Sequence, residues 1–263
     1  MMKLRLWFTL LILAAMSLPA LAWQGQSSQK APQPSVEEII QRFTKAESEN
    51  RDARQNYTFT QDVDIMTLGP ADSITGRFRR VSDIVLDNRG NRVEKITFFP
   101  PSTLTAVRLT AADMQDLAGV QPFTLTAEDL PKYDVKYMGK ERLDELDTYV
   151  FEVKPKRLVK SERYFEGRIW VDDQDFQAVK AKGQAVPEDE DNQYPHFESY
   201  RENIDGRYWF PTYVYADDVL EFKDNSVRLR MVIRYKNYKK FSTDIRVVEE
   251  PDTDGNGETH PRK

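Results

Sequence analysis

The stretch that decides the fold is YFEGRIWVDDQDFQAVKAKGQ, residues 164–184. Apolar and polar residues alternate on both sides of the polar DDQD, and this pattern predicts two strands joined by a tight turn. Comparable alternating segments recur roughly every dozen residues between positions 133 and 238, without intervening helical patterns. Such regular short strands predict a mainly β chain that forms one large antiparallel sheet or barrel.

The last of these segments shows that one face of the sheet must be covered. Leu229, Met231 and Ile233 alternate with arginines. One face of this strand is therefore apolar and the other cationic, as in a sheet that is wet on one side only. Another part of the chain, or a ligand, must cover the apolar side.

An amphipathic helix precedes the strands and is one candidate cover. Ser35 and Glu38 have the spacing of a capping box. The apolar residues that follow have the helical spacing i, i+3, i+4 and i+7 and form one stripe. We predict that this stripe is a lid facing the sheet, and it consists of Val36, Ile39, Ile40 and Phe43.

Residues 102–132 are the second candidate cover, because they lack strand alternation. Thr110 precedes Asp113 by three residues, and Thr126 has the same spacing to Asp129. Both pairs are helix-start signals, and Pro131 stops the second helix early, so we predict a short helical insertion. Short helices cannot wholly cover a sheet of about nine or ten strands. Either the sheet curls around them or an apolar ligand fills the gap.

The ends of the chain differ from its middle. Residues 1–22 have a basic start, an apolar core and a small-residue ALA site, which predict a signal peptide cleaved after Ala22. An uncleaved membrane anchor is the alternative. We predict a flexible leader over 23–34, a single domain over 35–248 and a disordered acidic and polar tail over 249–263.

Composition excludes several kinds of chemistry. The chain has no cysteine, so it has no thiol nucleophile, disulfide or Cys-ligated metal. Its net charge of −5 disfavours nucleic-acid binding. The only histidines are His196 and His260, which disfavours a catalytic triad or a His-rich metal site. We expect no cofactor, no metal and no catalytic residue.

Two weaker patterns leave alternatives open. Glu166 with Asp172 or Asp173 could form the carboxylate pair of a hydrolase, although carboxylates around a turn are more typical of turn formation. The aromatic segment YWFPTYVY, residues 208–215, could stack a sugar, but aromatics in a strand are more often packing residues.

Several stretches together resemble the LolA/LolB-like superfamily of periplasmic lipoprotein-sorting and lipid-carrying proteins. They are the helix after the signal segment, a strand with TFTQ, the insertion, YMGKERLDELDTYVFEVKPK, YFEGRIWVDDQDFQAVKAKG and IDGRYWFPTYVY. The resemblance extends over about residues 35–241. It is clearest in two segments, Gly167–Asp172 and Phe176–Val179. The resemblance implies a strongly curved antiparallel sheet or incomplete barrel of about 9–11 strands. The helix and the insertion would cover its concave face.

The resemblance also implies a non-catalytic periplasmic protein that binds acyl chains of lipids or lipoproteins and sorts them. A membrane-protein donor or acceptor is a further expected transient partner, and we expect a monomer that binds no nucleic acid. The alternatives are an envelope sensor or scaffold of the same fold that binds a protein, and a carboxylate hydrolase. The residues expected to line the hydrophobic cavity are Phe59, Val63, Phe151, Ile169, Val171, Leu229, Met231 and Ile233.

Overall fold

Ten β-strands and one α-helix make up most of the regular structure of the described residues. In the computed structural model these residues are 33–86, 92–111, 113–114, 123–188 and 193–241. The helix α1 spans Val36–Arg54. The strands are β1 Tyr57–Leu68, β2 Ile74–Leu86, β3 Arg92–Phe98, β4 Tyr133–Leu143, β5 Leu146–Pro155, β6 Tyr164–Asp172, β7 Ala178–Val186, β8 Phe197–Ile204, β9 Tyr208–Glu221 and β10 Ser226–Lys240.

All ten strands belong to one sheet, in the order β3-β2-β1-β10-β9-β8-β7-β6-β5-β4. Every neighbouring pair is antiparallel. Within the described residues, β3 and β4 form the two free edges, so the sheet is not closed into a barrel. One apolar cluster joins side chains from nine of the ten strands, as a sheet curved around a common core would produce. The predicted fold class is therefore confirmed.

Residues 164–184, with their alternating pattern, lie in the β6–β7 hairpin. The carboxylate of Asp172 accepts hydrogen bonds from the backbone N–H groups of Gln174 (2.6 Å) and Asp175 (3.3 Å), which closes the turn. Gly167 and Gly183 lie opposite each other, and a Cβ on Gly167 would be 2.6 Å from the Gly183 Cα. This close approach requires glycine on both strands.

Helix α1 begins with the predicted cap. The Ser35 hydroxyl accepts a hydrogen bond from the Glu38 backbone N–H at 3.1 Å. Ile39 and Phe43 are buried, whereas Val36 and Ile40 are partly buried against the same apolar cluster. The helix thus lies with its apolar stripe against the core.

The helical insertion differs in part from the prediction. Thr110 and Asp113 bond each other as a helix start, but most of the residues that would continue that helix lie outside the described residues. Thr126 and Asp129 also bond each other, yet they lead to a turn and a 3-10 helix at Leu130–Lys132. The proline within it has no N–H to donate, so an α-helix does not form.

Several predicted segments lie outside the described residues. These are the signal peptide 1–22, the tail 249–263 and all of the leader 23–34 except Gln33 and Pro34. No helix among the described residues combines the length and the apolar character needed to span a membrane.

Candidate functional site

The inner face of the sheet, defined by the side chains of the apolar cluster, is the candidate site. All eight predicted cavity residues belong to it, and each is at most 7% exposed. The strand register places Ile233 opposite Val63, and Ile169 opposite Phe151. The structure therefore brings the predicted residues together on one side of the sheet. They pack against other protein side chains, so their role in lining a cavity stays a prediction.

Helix α1 packs directly onto this inner face. The Phe43 ring lies 5.3 Å from the Phe151 ring, measured between centroids. The guanidinium of the adjacent Arg42 lies 3.7 Å above the ring of Phe176, which follows the β6–β7 turn. Aromatic and cation–π contacts of this kind hold the helix against β5 and the β6–β7 hairpin.

A buried ion pair also attaches α1 to the sheet. Glu47 on α1 is 1% exposed, and Arg201 on β8 is 7% exposed. The Arg201 guanidinium donates one hydrogen bond to the Glu47 carboxylate and another to the Phe123 backbone carbonyl. This one side chain therefore joins the helix, the sheet and the segment that precedes β4.

Asn50 makes a second polar attachment near the end of α1. Its Nδ2 donates to Gln177 Oε1 at 2.8 Å, and its Oδ1 accepts from the backbone N–H of Trp209 at 3.1 Å. Together with the ion pair, these bonds hold α1 through a few directional contacts. We call Glu47, Asn50 and Arg201 the helix anchors.

The sequence analysis missed the helix anchors, although signals for two of them were present. Glu47 follows Phe43 by four residues and so falls on the apolar stripe, where a carboxylate needs a buried partner. Alternation along β8 places Arg201 on the same face as Phe197 and Ser199. The pairing of the two charges could not be derived, because they are 154 positions apart.

A second polar group lies on the inner face near β3. Arg80 is opposite Val63, and its guanidinium is 3.3 Å from the Glu94 carboxylate, which also accepts a hydrogen bond of 2.6 Å from Ser82. Among the described residues, Arg80 Nε is buried without a hydrogen-bond partner. Burial raises the pKa of nearby Tyr235, whose hydroxyl accepts a hydrogen bond from Gln61. The inner face is thus apolar at its centre and polar toward this edge.

The outer face of the sheet carries cross-strand ion pairs. Arg77 binds both oxygens of Asp64 at 2.7 and 2.6 Å, and Arg79 binds Asp62 at 3.2 Å. Elsewhere on this face partial burial acts to raise the pKa of Glu198. Hydrogen bonds from Lys182, Tyr200 and Lys180 outweigh this effect and lower the pKa to about 2. The outer face is therefore charged and hydrated.

The residues suggested for hydrolytic chemistry have other roles in the structure. Glu166 pairs with Lys154 at 3.4 Å, and Asp173 pairs with Lys140 at 2.6 Å. Asp172 closes the β6–β7 turn, roughly 20 Å along the strand from Glu166. The suggested carboxylates therefore do not face each other across a cleft.

The histidine among the described residues also has a local structural role. His196 is exposed, and its Nδ1 lies 2.8 Å from Asp218 Oδ2. In the described part of the chain, no group of three or more His, Cys, Asp or Glu side chains could hold a metal ion.

Comparison with known proteins finds similarity only among solved structures. No protein-family model and no curated protein matches the chain. A LolA superfamily protein from Nitrosomonas europaea is 20% identical, with a TM-score of 0.34, and the match covers 75% of this chain and 94% of that one. A domain from Vibrio parahaemolyticus described as outer membrane lipoprotein-sorting is 14% identical, with a TM-score of 0.36 and coverages of 76% and 93%.

A third solved structure is the MucA/MucB complex of Pseudomonas aeruginosa, with 11% identity, a TM-score of 0.22 and coverages of 72% and 92%. These similar structures include a protein of the LolA superfamily, which the sequence resembles. These identities and TM-scores are too low to assign a function.

Proposed function

We propose that the protein is a non-catalytic binding protein for acyl chains of lipids or lipoproteins, which it binds on the inner face beneath α1. One observation carries this proposal. A continuous apolar cluster extends over nine strands, and the helix that packs on it is attached through two buried side chains of its apolar stripe and a few polar anchors. An acyl chain would take the place of the helix stripe when α1 moves away.

The gain from burying an acyl chain can offset the cost of moving the helix. A sixteen-carbon chain gains about 12 kcal/mol on burial before ordering costs, at roughly 0.8 kcal/mol per methylene. Moving α1 exposes chiefly Ile39 and Phe43, at about 1.5–3 kcal/mol per side chain. Separating Glu47 from Arg201 costs less than their Coulomb attraction indicates, because Glu47 regains hydration on the displaced helix and Arg201 keeps its bond to the Phe123 carbonyl.

The proposed setting is the periplasm, where the protein would sort lipids or lipoproteins between membranes. Residues 1–22 support this as the predicted signal peptide, and transfer would involve a transient membrane-protein donor or acceptor. N-terminal sequencing of the protein from a periplasmic fraction should begin at Trp23. Recovery of an unprocessed chain in carbonate-washed membranes would contradict cleavage.

Titration with a fluorescent fatty acid tests the binding site. We expect the wild type to bind, and we expect Met231→Arg to lose binding because Met231 is 2% exposed at the centre of the inner face. Val219→Arg is the matched control, since it adds the same charge at a side chain that is 47% exposed. Circular dichroism establishes that each variant is folded. Equal affinities of a folded Met231→Arg and Val219→Arg would place the acyl site elsewhere.

A second candidate function is that of a sensor or scaffold that binds a protein. Edge strand β3 and the residue after it favour this function, because Ile96, Phe98 and Phe99 are each about half exposed. An extended peptide could add a strand at that edge. Failure of the wild type to bind an acyl probe or to copurify with lipid would favour this candidate.

A further inference from the structure

Helix α1 presents to the sheet an apolar stretch that is followed by a carboxylate. Ile39 and Phe43 are each at most 2% exposed, and Glu47, one turn further along the same stripe, is 1% exposed. At 1.5 Å per residue, Ile39 and Glu47 are about 12 Å apart along the helix axis. The buried side of α1 therefore has the same order of groups as a fatty acid, with an apolar chain and a terminal anion.

The inner face of the sheet has matching groups opposite this stripe. Phe43 lies against Phe151 of β5, with 5.3 Å between the ring centroids. Further along the helix, the Arg201 guanidinium of β8 donates a hydrogen bond to the Glu47 carboxylate. Apolar side chains of the sheet thus contact the apolar part of the stripe, and a cation binds its carboxylate.

Arg201 depends on Glu47 for the balance of its charge. The side chain of Arg201 is 3% exposed, and in the described part of the chain Glu47 is the only carboxylate that forms an ion pair with it. Its other hydrogen bond goes to the Phe123 backbone carbonyl, which carries no net charge. Removing one partner of a buried ion pair is strongly destabilising. A ligand that takes the place of α1 therefore binds best if it supplies an anion to Arg201.

We propose that the acyl ligand of the inner face carries a carboxylate or a phosphate, which binds Arg201 in place of Glu47. This inference rests on the proposed acyl binding beneath α1 and adds the chemistry of the head group. Carboxylate and phosphate oxygens both match the donor geometry of a guanidinium. A neutral lipid would leave Arg201 with the Phe123 carbonyl alone. Glu47 and the head group of the ligand thus compete for one arginine.

Calorimetric titration of the full protein with decanoate, decyl phosphate and decanol tests the proposal, because these probes share one chain length and differ in the head group. We expect at least one of the two anions to bind about tenfold more tightly than decanol, or better. The anion that binds more tightly identifies the head group as carboxylate or phosphate. Equal affinities for all three probes would overturn this inference and leave acyl binding intact. Binding of none would overturn both.

A double variant without the buried ion pair tests the role of Arg201. Glu47→Leu combined with Arg201→Leu leaves no buried charge at this position, so we expect a folded protein that still binds decanol. Its preference for the anionic probe should disappear or reverse. A folded double variant that keeps the wild-type preference would overturn the assignment of Arg201.

Glu47→Gln tests the competition between the helix and the ligand. Glutamine keeps the size of the side chain but lacks its charge, so the preferred anion should bind roughly three- to tenfold more tightly than to the wild type. Glu49→Gln is the matched control, because it makes the same change on the same helix at a side chain that is 63% exposed. We expect this control to have wild-type affinity. Equal affinities of the two variants would overturn the exchange of Glu47 for the head group.

Discussion

The inner and outer faces of the sheet both contain ion pairs between arginine and a carboxylate, but in different surroundings. The side chains of Arg201 and Glu47 are 3% and 1% exposed, whereas that of Arg77, which pairs with Asp64, is 44% exposed. The inner pair connects a helix to a strand far along the chain, and the outer pair connects adjacent strands. The same chemistry therefore attaches a helix to the core on one face and joins neighbouring strands at a more hydrated surface on the other.

The apolar side chains of the two faces differ as well. The inner cluster joins α1 to nine strands. A separate small cluster consists of Val150, Trp170 and Val179 with three partly buried neighbours. Most of the hydrophobic stabilisation therefore lies on the inner face. Mutations there should have large effects, and equivalent mutations on the outer face should have small ones.

The largest expected effect is that of removing the inner arginine. Arg201→Leu leaves Glu47 buried without its partner, so we expect a loss of about 4 kcal/mol in the free energy of unfolding. Urea denaturation measures this loss. Adding Glu47→Leu to the same protein should restore much of the stability, since no buried charge remains. A loss below about 1 kcal/mol in the single variant would show that water reaches Glu47.

Shortening an inner aromatic side chain should have the next largest effect. Phe43 is 0% exposed and contacts Phe151, so Phe43→Ala should cost about 3 kcal/mol through lost burial and a residual cavity. Lys45→Ala on the exposed side of α1 is the control and should change stability by less than about 0.5 kcal/mol. Similar small changes in both variants would remove α1 from the core.

On the outer face, breaking an ion pair should matter much less. Asp64→Asn weakens the bond to Arg77, whose head is partly solvated, and we expect a loss of about 0.5 kcal/mol that shrinks at high salt. A double-mutant cycle with Arg77→Gln measures the coupling energy. A coupling energy above about 3 kcal/mol would show that the outer ion pair is as strongly coupled as a buried one.

A further effect expected on the outer face is a pH dependence from Glu198. Its pKa is lowered from 4.5 to about 2 in the folded protein. A carboxylate with a lowered folded-state pKa stabilises the fold above its unfolded-state pKa, and this stabilisation is lost as the pH falls through the folded-state value. Stability should therefore fall between about pH 4.5 and pH 2, and Glu198→Gln should fall less over that window. Identical acid-denaturation curves would contradict the assignment.

The strands and their inner residues could be predicted from the sequence because the sheet has one wet face. Alternation along β10 places Leu229, Met231 and Ile233 on the buried side without any knowledge of the partner strands. The same reasoning predicted the sheet and the helix. The helix start predicted at Thr126 leads only to a turn and a short 3-10 helix. The capping signal is present, but the proline that follows prevents a longer α-helix.

The helix anchors and the end of the β9–β10 pairing could not be predicted, because each depends on residues that are distant in sequence. Glu47 meets Arg201 only after α1 docks on β8. The register between β9 and β10 ends at Tyr213 and Arg234, close to Pro211 on one strand and to the irregular Asn237 on the other. Local patterns identify a proline or an asparagine as irregular, but the register between strands decides what the irregularity creates.

Linking α1 to the sheet tests the central claim most directly. The chain has no cysteine, so Asn50→Cys and Gln177→Cys, which replace two side chains in contact, can be joined by a short bismaleimide reagent. If acyl chains bind beneath α1, the linked protein should bind a fluorescent fatty acid at least about tenfold more weakly than the same variant before linking. Equal affinity of the linked and unlinked proteins would contradict the claim that α1 covers the acyl-binding face.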